Sequence, residues 1–152
     1  MDEVIPPEFS LRQAVAADSS AIRALIHAVR INPLDLDWRN FIVAESSAGE
    51  FIGCGQVKQH GDGSQELASI AVIAAWRGRG VARAIIEYLL NAQGGVLYLT
   101  CRSSLGAFYE QFGFRAITAA DMPPYFRRIL RLAGMLTELR IHGETLLVMQ
   151  RS

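Results

Sequence analysis

A glycine and arginine turn at residues 77–80, followed at once by a helical pattern, limits the fold of this chain more than any other feature. Residues 81–90 carry two adjacent rows of apolar side chains spaced by four positions, which is typical of an amphipathic helix. The apolar runs 66–73 before the turn and 96–101 after the helix are typical of strands. A strand, a glycine turn, a helix and a second strand make a βαβ unit, whose two strands pair in parallel.

Shorter patterns along the rest of the chain predict further helices and strands in one α/β order. Apolar residues spaced by three and four positions indicate the helices, and short apolar runs between turn signals indicate the strands. The predicted elements are a helix capped by Asp18-Ser19-Ser20 and ended at Asn32-Pro33, strands at 41–44 and 51–57, a short helix from Ser103 or Ser104 to 111 or 112, strands at 114–117 and 140–149, and a helical stretch at 124–136.

The composition is that of an ordinary globular protein. The 152 residues are 51% hydrophobic and 20% charged, which predicts one domain over residues 1–152 with a single core. Fifteen basic and fifteen acidic residues give a net charge of zero, which argues against nucleic acid or an anionic membrane as a partner. The acidic start and the lack of a long apolar run predict a soluble cytoplasmic protein.

The cysteines and histidines show no metal-binding spacing. Cys54 and Cys101 do not form a CxxC pair, and His27, His60 and His142 do not lie near them in a ligand pattern, so no metal is expected. His27 and His60 fall in a helix and a turn and receive no role, and His142 is predicted to be a hairpin residue. Cys101, in a buried strand without a neighbouring histidine, is interpreted as a packing residue rather than a nucleophile.

The glycine turn has the chemistry of an anion site. A helix N-terminus presents unpaired N–H groups and positive charge, and glycines let a ligand approach them closely. Residues 77–83 therefore form a candidate phosphate cradle, to which Arg77, Arg79 and Arg83 add charge. A P-loop would need Gly-Lys-Ser/Thr, which is absent, and a dinucleotide fingerprint would need a small residue where Arg83 stands.

Two motifs in this region resemble one family. Arg77-x-x-Gly80-x-Ala82 is similar to the (Gln/Arg)-x-x-Gly-x-(Gly/Ala) signature of the GNAT superfamily of acyl-CoA-dependent N-acyltransferases. Ala107-Phe-Tyr-Glu-Gln-Phe-Gly-Phe114 resembles its second hallmark, a helix that carries a tyrosine and ends in Gly-Phe. The resemblance implies an α/β (α+β) GNAT fold: a mixed, mostly antiparallel sheet of six to seven strands, with a splayed parallel pair at its centre and four to five flanking helices.

The resemblance also implies where coenzyme A binds. In such proteins the pyrophosphate lies on the backbone N–H groups of the glycine turn, and the pantetheine arm pairs with the preceding strand like an added strand. The residues that this assigns to the cosubstrate acetyl-CoA are Ile70, Ala71, Val72, Arg77, Gly78, Arg79, Gly80, Val81, Ala82 and Arg83.

Two side chains are candidates for the chemistry. A primary amine attacks only when neutral but is mostly protonated at pH 7, so a base is required. Glu66 lies eleven residues before Arg77, a spacing that resembles family members with a strand glutamate as base; the alternative is a carboxylate in solvent at the strand start. Tyr109 falls where the family often places a tyrosine whose hydroxyl points at the CoA sulfur and can act as general acid, and the alternative is a core tyrosine. The family's usual asparagine before that tyrosine is missing.

Residues 122–136 form a longer connection than two strands need. Arg127 and Arg128 lie on the basic side of its predicted helix, and one hypothesis is that they attract an acceptor amine that bears a carboxylate. The alternatives are a core-packing helix with a solvated basic face and, less favoured, a helix on a membrane surface.

These observations favour an N-acetyltransferase that moves an acetyl group from acetyl-CoA to a primary amine within a ternary complex. The alternative is a non-catalytic acyl-CoA-binding sensor of the same fold. The acceptor stays open among amino acids, small amines and peptide or protein amines. Many members of the family dimerise, and the oligomeric state of this chain is also left open.

Overall fold

The computed structural model describes residues 8–135 and 144–152, with side chains described as far as residue 132 in the first range. These residues form seven strands and four α-helices. The strands are β1 (Phe9–Gln13), β2 (Phe41–Ser46), β3 (Phe51–Gln59), β4 (Gln65–Val72), β5 (Leu97–Arg102), β6 (Arg115–Ala116) and β7 (Leu146–Arg151). The helices are α1 (Ser19–Ala28), α2 (Val81–Ala92), α3 (Gly106–Glu110) and α4 (Pro124–Met135).

The seven strands make one mixed sheet in the order β1-β2-β3-β4-β5-β7-β6. The pairs β1 with β2, β2 with β3, β5 with β7 and β6 with β7 are antiparallel. Strands β4 and β5 pair in parallel, with Glu66 opposite Tyr98. The predicted fold class, including its one parallel pair, is confirmed.

The chain divides into two compact units. Unit 1 comprises Met1–Val57 and Ser69–Gln93, and unit 2 comprises Lys58–Ala68 and Gly94–Ser152. Unit 1 therefore holds the glycine turn, and unit 2 holds Glu66, Tyr109 and α4.

In unit 1, the predicted stripe of α1 is buried against β2. Ile22, Leu25 and Ile26 pack in one cluster with Phe41. Asp18 stands at the start of this helix, but its carboxylate does not cap it. That carboxylate accepts hydrogen bonds from a neighbouring arginine and a backbone N–H instead, so the predicted side-chain cap is wrong.

Two glycines of β3 allow α2 to lie close to the sheet. A Cβ added at Gly53 would meet Val81 Cγ1 at 3.2 Å, and one added at Gly55 would meet Ile70 Cδ1 and Ile85 Cγ2 at 2.6 Å each. No larger residue fits at Gly55 without a shift of its neighbours. The position of α2, and hence of its N-terminus, depends on this close packing.

In unit 2, α4 packs through Phe126 in a cluster with Met122 and Val148. The helix begins at Pro124 as predicted. The predicted strand 114–117 is shorter, because the Phe114 N–H bonds back to the Tyr109 carbonyl and closes the end of α3. Residues 140–143 of the predicted strand 140–149, with His142 among them, lie outside the described residues, and β7 begins only at Leu146 and extends to Arg151.

Among residues 8–135 and 144–152, no helix has both the length and the apolar character needed to cross a membrane.

Candidate active site

The glycine turn leads from β4 into α2 through two left-handed residues. Gly78 has φ 76° and Gly80, the residue that caps α2, has φ 83°. A Cβ added at either position would meet nothing within 4 Å. Glycine is therefore needed here for backbone conformation, and the space beside the turn is open to a ligand.

The backbone donors of this turn are available. The N–H groups of residues 78–82 make no hydrogen bond to any described residue, and no side chain caps α2. Unpaired N–H groups and the positive end of a twelve-residue helix favour an anion with several oxygens. A pyrophosphate such as that of coenzyme A fits this arrangement.

The three arginines around the turn are exposed but oriented by neighbours. Arg77 Nε donates to the Val72 carbonyl at 3.2 Å. The Arg79 guanidinium lies 3.9 Å above the Trp76 ring and is 2.8 Å from the Glu8 carboxylate. Arg83 is 3.7 Å from the carboxylate of Glu87 on the same helix. The predicted positive charge is present, although Glu8 offsets that of Arg79 and Glu87 part of that of Arg83.

Strand β4 contains a left-handed residue at Ser69, a feature that the sequence analysis missed. Ser69 has φ 59°, which is uncommon for a residue with a side chain. The conformation is held by Gln56, whose Nε2 donates to Ser69 Oγ at 2.9 Å, and by the Cys54 thiol, which donates to the Ser69 carbonyl at 3.6 Å. Such backbone irregularities persist only where the surroundings hold them, and they are common at functional sites. The predicted pantetheine residues 70–72 follow directly after it.

Glu66 is buried, with 5% of the residue exposed, so the alternative that it lies in solvent at the strand start is wrong. Its Oε1 is 2.8 Å from His60 Nε2, and the two side chains are each 7% exposed. A carboxylate out of water needs such a partner. The structure therefore brings together a predicted catalytic residue and a histidine to which the sequence analysis gave no role.

His60 lies at the start of the 60–64 turn, and its ring packs against α4. The Tyr125 ring stacks on the imidazole, with centroids 3.5 Å apart and planes at 16°, and Phe126 meets it edge-on at 5.8 Å. The Tyr125 N–H donates to Asp62 Oδ2 at 3.0 Å. A signal for the pair was present in the turn-forming residues Gly61-Asp62-Gly63-Ser64, because hairpin pairing brings residues on the two sides of a turn together.

Asp62 is a strongly stabilised carboxylate on the same turn. Hydrogen bonds from the Ser64 hydroxyl, and from the Tyr125 and Ser64 backbone, lower its pKa from 3.8 to about 2. It remains ionised at any pH near neutrality. The carboxylate therefore connects the turn to the N-terminus of α4.

Tyr109 lies on α3 and is partly buried. Its ring meets those of Phe108 and Phe114 edge-on, and its hydroxyl makes no hydrogen bond to a described residue. Burial, with a smaller contribution from Cys101, raises the pKa of Tyr109 to about 12. The phenol therefore keeps its proton at neutral pH and can donate it.

Cys101 has the environment of a packing residue. Its thiol lies 3.8 Å from Met149 Sδ, and burial raises its pKa to about 11. A thiol that stays protonated is a poor nucleophile. This agrees with the prediction that Cys101 is a packing residue.

Arg127 and Arg128 are both exposed on α4. Arg127 Nε donates to the Met122 carbonyl at 2.9 Å, which fixes it beside the start of the helix. A groove of about 310 Å³ in unit 2 is lined by the 62–65 turn, Val96, Tyr98 and Pro123. Neither arginine lines this groove.

Within the described ranges no group of three or more His, Cys, Asp and Glu side chains is placed to hold a metal ion.

Comparison with known proteins identifies the family. A family model described as "Acetyltransferase (GNAT) domain" matches residues 37–116, which is more than half of the chain. The protein belongs to the GNAT acetyltransferases. No curated protein sequence matches the chain.

Solved structures with the same fold include coenzyme A complexes. N-acetylglutamate synthase from Neisseria gonorrhoeae, complexed with coenzyme A and N-acetyl-glutamate, has TM-score 0.76 and 19% identity, and the match covers 99% of this chain and 35% of that one. Rv2747 from Mycobacterium tuberculosis, in complex with CoA and NLQ, has TM-score 0.70 and 23% identity over 93% of this chain and 98% of that one.

A third structure is an acetyltransferase of the GNAT family from Staphylococcus aureus, with TM-score 0.67 and 14% identity over 94% of this chain and 98% of that one. The chain thus spans 35% of the Neisseria protein but nearly the full length of the other two. At these identities the neighbours establish the fold.

Proposed function

We propose that this protein transfers an acetyl group from acetyl-CoA to a primary amine by direct attack within a ternary complex. The observation that carries the proposal is the open glycine turn, where the N–H groups of residues 78–82 have no partner in the described chain. Membership of the GNAT family and the coenzyme A bound in two neighbouring structures support it.

Acetyl-CoA would be held mainly by backbone. The N–H groups of residues 78–82 would bind the pyrophosphate, with Arg77, Arg79 and Arg83 adding charge at the rim. The Arg77 N–H itself bonds to the Ala74 carbonyl at 3.3 Å, so Arg77 would contribute only through its side chain. Residues 70–72 would pair with the pantetheine arm. The cosubstrate supplies the activated acetyl group.

Three groups of the chain would carry the chemistry. Glu66 supplies a buried negative charge that favours removal of the proton from the acceptor amine. The N–H of Val72 polarises the thioester carbonyl. Tyr109, whose phenol is protonated at neutral pH, donates its proton to the departing thiolate.

For the acceptor, we propose an amine that bears a carboxylate. The Neisseria neighbour was solved with N-acetyl-glutamate, and α4 presents Arg127 and Arg128 at its surface. Arg127→Ala and Arg128→Ala are then expected to raise KM for L-glutamate more than KM for spermidine, with acetyl-CoA binding unchanged. An unchanged KM for acidic acceptors in both variants removes these arginines from the acceptor site.

Isothermal titration calorimetry with acetyl-CoA tests the function. Wild-type protein is expected to bind, and a ligand at about 100 times Kd should stabilise the fold by about 2.7 kcal/mol. Gly80→Ala should weaken binding because it alters the turn, whereas Gly61→Ala should not, since Gly61 has no neighbours within 4 Å of an added Cβ. A folded wild-type protein that gives no heat with acetyl-CoA would contradict the proposal.

Release of free CoA thiol separates the enzyme from the sensor. The probes are L-glutamate, L-lysine, spermidine and a short peptide with a free N-terminus, each with acetyl-CoA. Thiol release with at least one amine supports the enzyme. Binding without release from any of them would assign the chain to the acyl-CoA-binding sensors.

A further inference from the structure

We propose that His60 is the side chain that takes the proton from the acceptor amine, and that Glu66 acts by positioning it; this inference rests on the proposed function. No motif in the sequence singled out His60. In the structure, its Nε2 lies 2.8 Å from Glu66 Oε1 and the two side chains are each 7% exposed. The pair lies within unit 2, on the edge of the 60–64 turn and the start of β4.

The contact with Glu66 determines which ring nitrogen is basic. An ionised carboxylate only accepts hydrogen bonds, so the hydrogen of a neutral imidazole must lie on Nε2. Nδ1 then keeps its lone pair, and it makes no hydrogen bond to any described residue. A histidine oriented through one nitrogen by a carboxylate, with the other nitrogen available, is the arrangement of a general base.

The surroundings of the ring suit a charge that forms there. Tyr125 stacks at 3.5 Å between centroids and Phe126 contributes its edge at 5.8 Å, so the plane of the imidazole is held. Aromatic faces attract a cation, and the Glu66 carboxylate offsets the charge of an imidazolium. Asp62, which accepts the Tyr125 N–H at 3.0 Å, keeps Tyr125 in position and adds a second negative group nearby.

The proton balance of the step is complete. The ammonium form of the acceptor gives one proton to His60 Nδ1, which passes it to solvent. The neutral nitrogen then forms the C–N bond to the acetyl carbon, and the C–S bond breaks with its electron pair on sulfur. The second proton that the nitrogen loses balances the one that converts the thiolate to free CoA thiol, and no oxidant or further reactant is needed.

His60→Gln tests the role, with His27→Gln as its matched control. Glutamine can still donate a hydrogen bond to Glu66 but has no basic nitrogen. His27 is an exposed histidine of α1 in unit 1. Each variant is assayed for acetyl-CoA binding by calorimetry and for thiol release with the best amine of the panel and with hydroxylamine, which is largely neutral at pH 7 and needs no base.

The expected result separates a base from a structural residue. With the alkyl amine, His60→Gln should lower kcat about 100-fold, as loss of a general base does. Its Kd for acetyl-CoA and its rate with hydroxylamine should stay close to those of wild type, and His27→Gln should match wild type throughout. Glu66→Gln, whose amide oxygen still accepts from Nε2, should give an intermediate loss.

The inference is overturned if wild type and His60→Gln acetylate the alkyl amine at similar rates. It is also overturned if the variant loses activity toward the alkyl amine and toward hydroxylamine by the same factor. Nitrogen-15 NMR of the His60 ring at pH 7 gives an acceptor-free check: hydrogen on Nε2 alone supports the proposal, and hydrogen on Nδ1 overturns it. Wild-type protein that binds no acetyl-CoA, or binds it without turnover, overturns the proposed enzyme together with this role. Normal wild-type turnover with an undiminished variant overturns the role of His60 alone.

Discussion

The glycine turn of unit 1 and the His60–Glu66 pair of unit 2 present their polar groups in two different ways. The turn is exposed and made of backbone, with donors that no described residue uses. The pair is buried and made of two side chains, which hydrogen-bond to each other with 2.8 Å between His60 Nε2 and Glu66 Oε1. An anion site must leave its donors free for the ligand, whereas a buried titratable group must be compensated within the protein.

The two regions also differ in how far apart their parts lie in the sequence. The turn and the helix behind it are contiguous, from residue 77 to 92. The pair draws on a turn and a strand, and its aromatic wall comes from Tyr125 and Phe126, about sixty residues later. We therefore expect substitutions in the first region to act on cosubstrate binding and in the second on turnover.

The largest effect is expected in unit 2 at Tyr109. Tyr109→Phe keeps the ring and its contacts with Phe108 and Phe114 but removes the donor, so kcat should fall about 100-fold. Kd for acetyl-CoA should not change. Steady-state kinetics with calorimetry checks both values, and an unchanged kcat would reject the role of this phenol as acid.

Gly55→Ala is expected to destabilise unit 1 by about 1 to 3 kcal/mol, because a Cβ there overlaps tightly packed side chains. Ile70 Cδ1 and Ile85 Cγ2 would lie only 2.6 Å away. The free energy of unfolding in urea measures the effect. Gly61→Ala, in open space, is the control; equal stability of the two variants would show that β3 and α2 are less closely packed than the structure shows.

Gly80→Ala should cost about 1 to 2 kcal/mol of stability, because a side chain disfavours the left-handed conformation that this residue adopts. No clash contributes, since nothing lies within 4 Å of an added Cβ. Urea unfolding gives the stability and calorimetry the affinity for acetyl-CoA. If the variant binds acetyl-CoA with the affinity of wild type, binding does not depend on the left-handed conformation of Gly80.

Asp62→Asn should have the smallest effect, about 0.5 to 1 kcal/mol at pH 7, because the carboxylate is exposed and acts through a helix end. Hydrogen bonding lowers the pKa of Asp62 in the folded protein to about 2, from 3.8. Its contribution is therefore complete above pH 4 and is lost as the pH falls toward 2. Unfolding curves of the two proteins should converge at low pH, and a constant difference would contradict this.

Local patterns predicted those parts of the molecule whose structure depends on nearby residues. The two apolar rows of α2, the turn glycines and the βαβ order were all readable, because helix period and left-handed glycines are properties of short segments. Local patterns did not predict the bounds of β6 or the absence of a side-chain cap at Asp18. In the folded chain the Phe114 N–H bonds to the Tyr109 carbonyl, and the Asp18 carboxylate bonds to Arg12.

The candidate catalytic residues show the same division. The position of Tyr109 in chain order was predictable, but its raised pKa depends on burial among residues of other elements. Glu66 was predicted from its residue type and its distance along the chain from Arg77. Its burial and its contact with His60 were not predicted. His60 lacked any local motif, and the left-handed Ser69 is held by Gln56 from the neighbouring strand.

The amino-acid order alone therefore determined the family, the glycine turn and the strand that leads into it, because backbone conformation is encoded within a few residues. Only the tertiary structure decided which titratable groups are buried and which of them meet. Burial and pairing are properties of whole surfaces packed together, and residues 60, 66 and 125 become neighbours only when a hairpin turn and a distant helix close on one another.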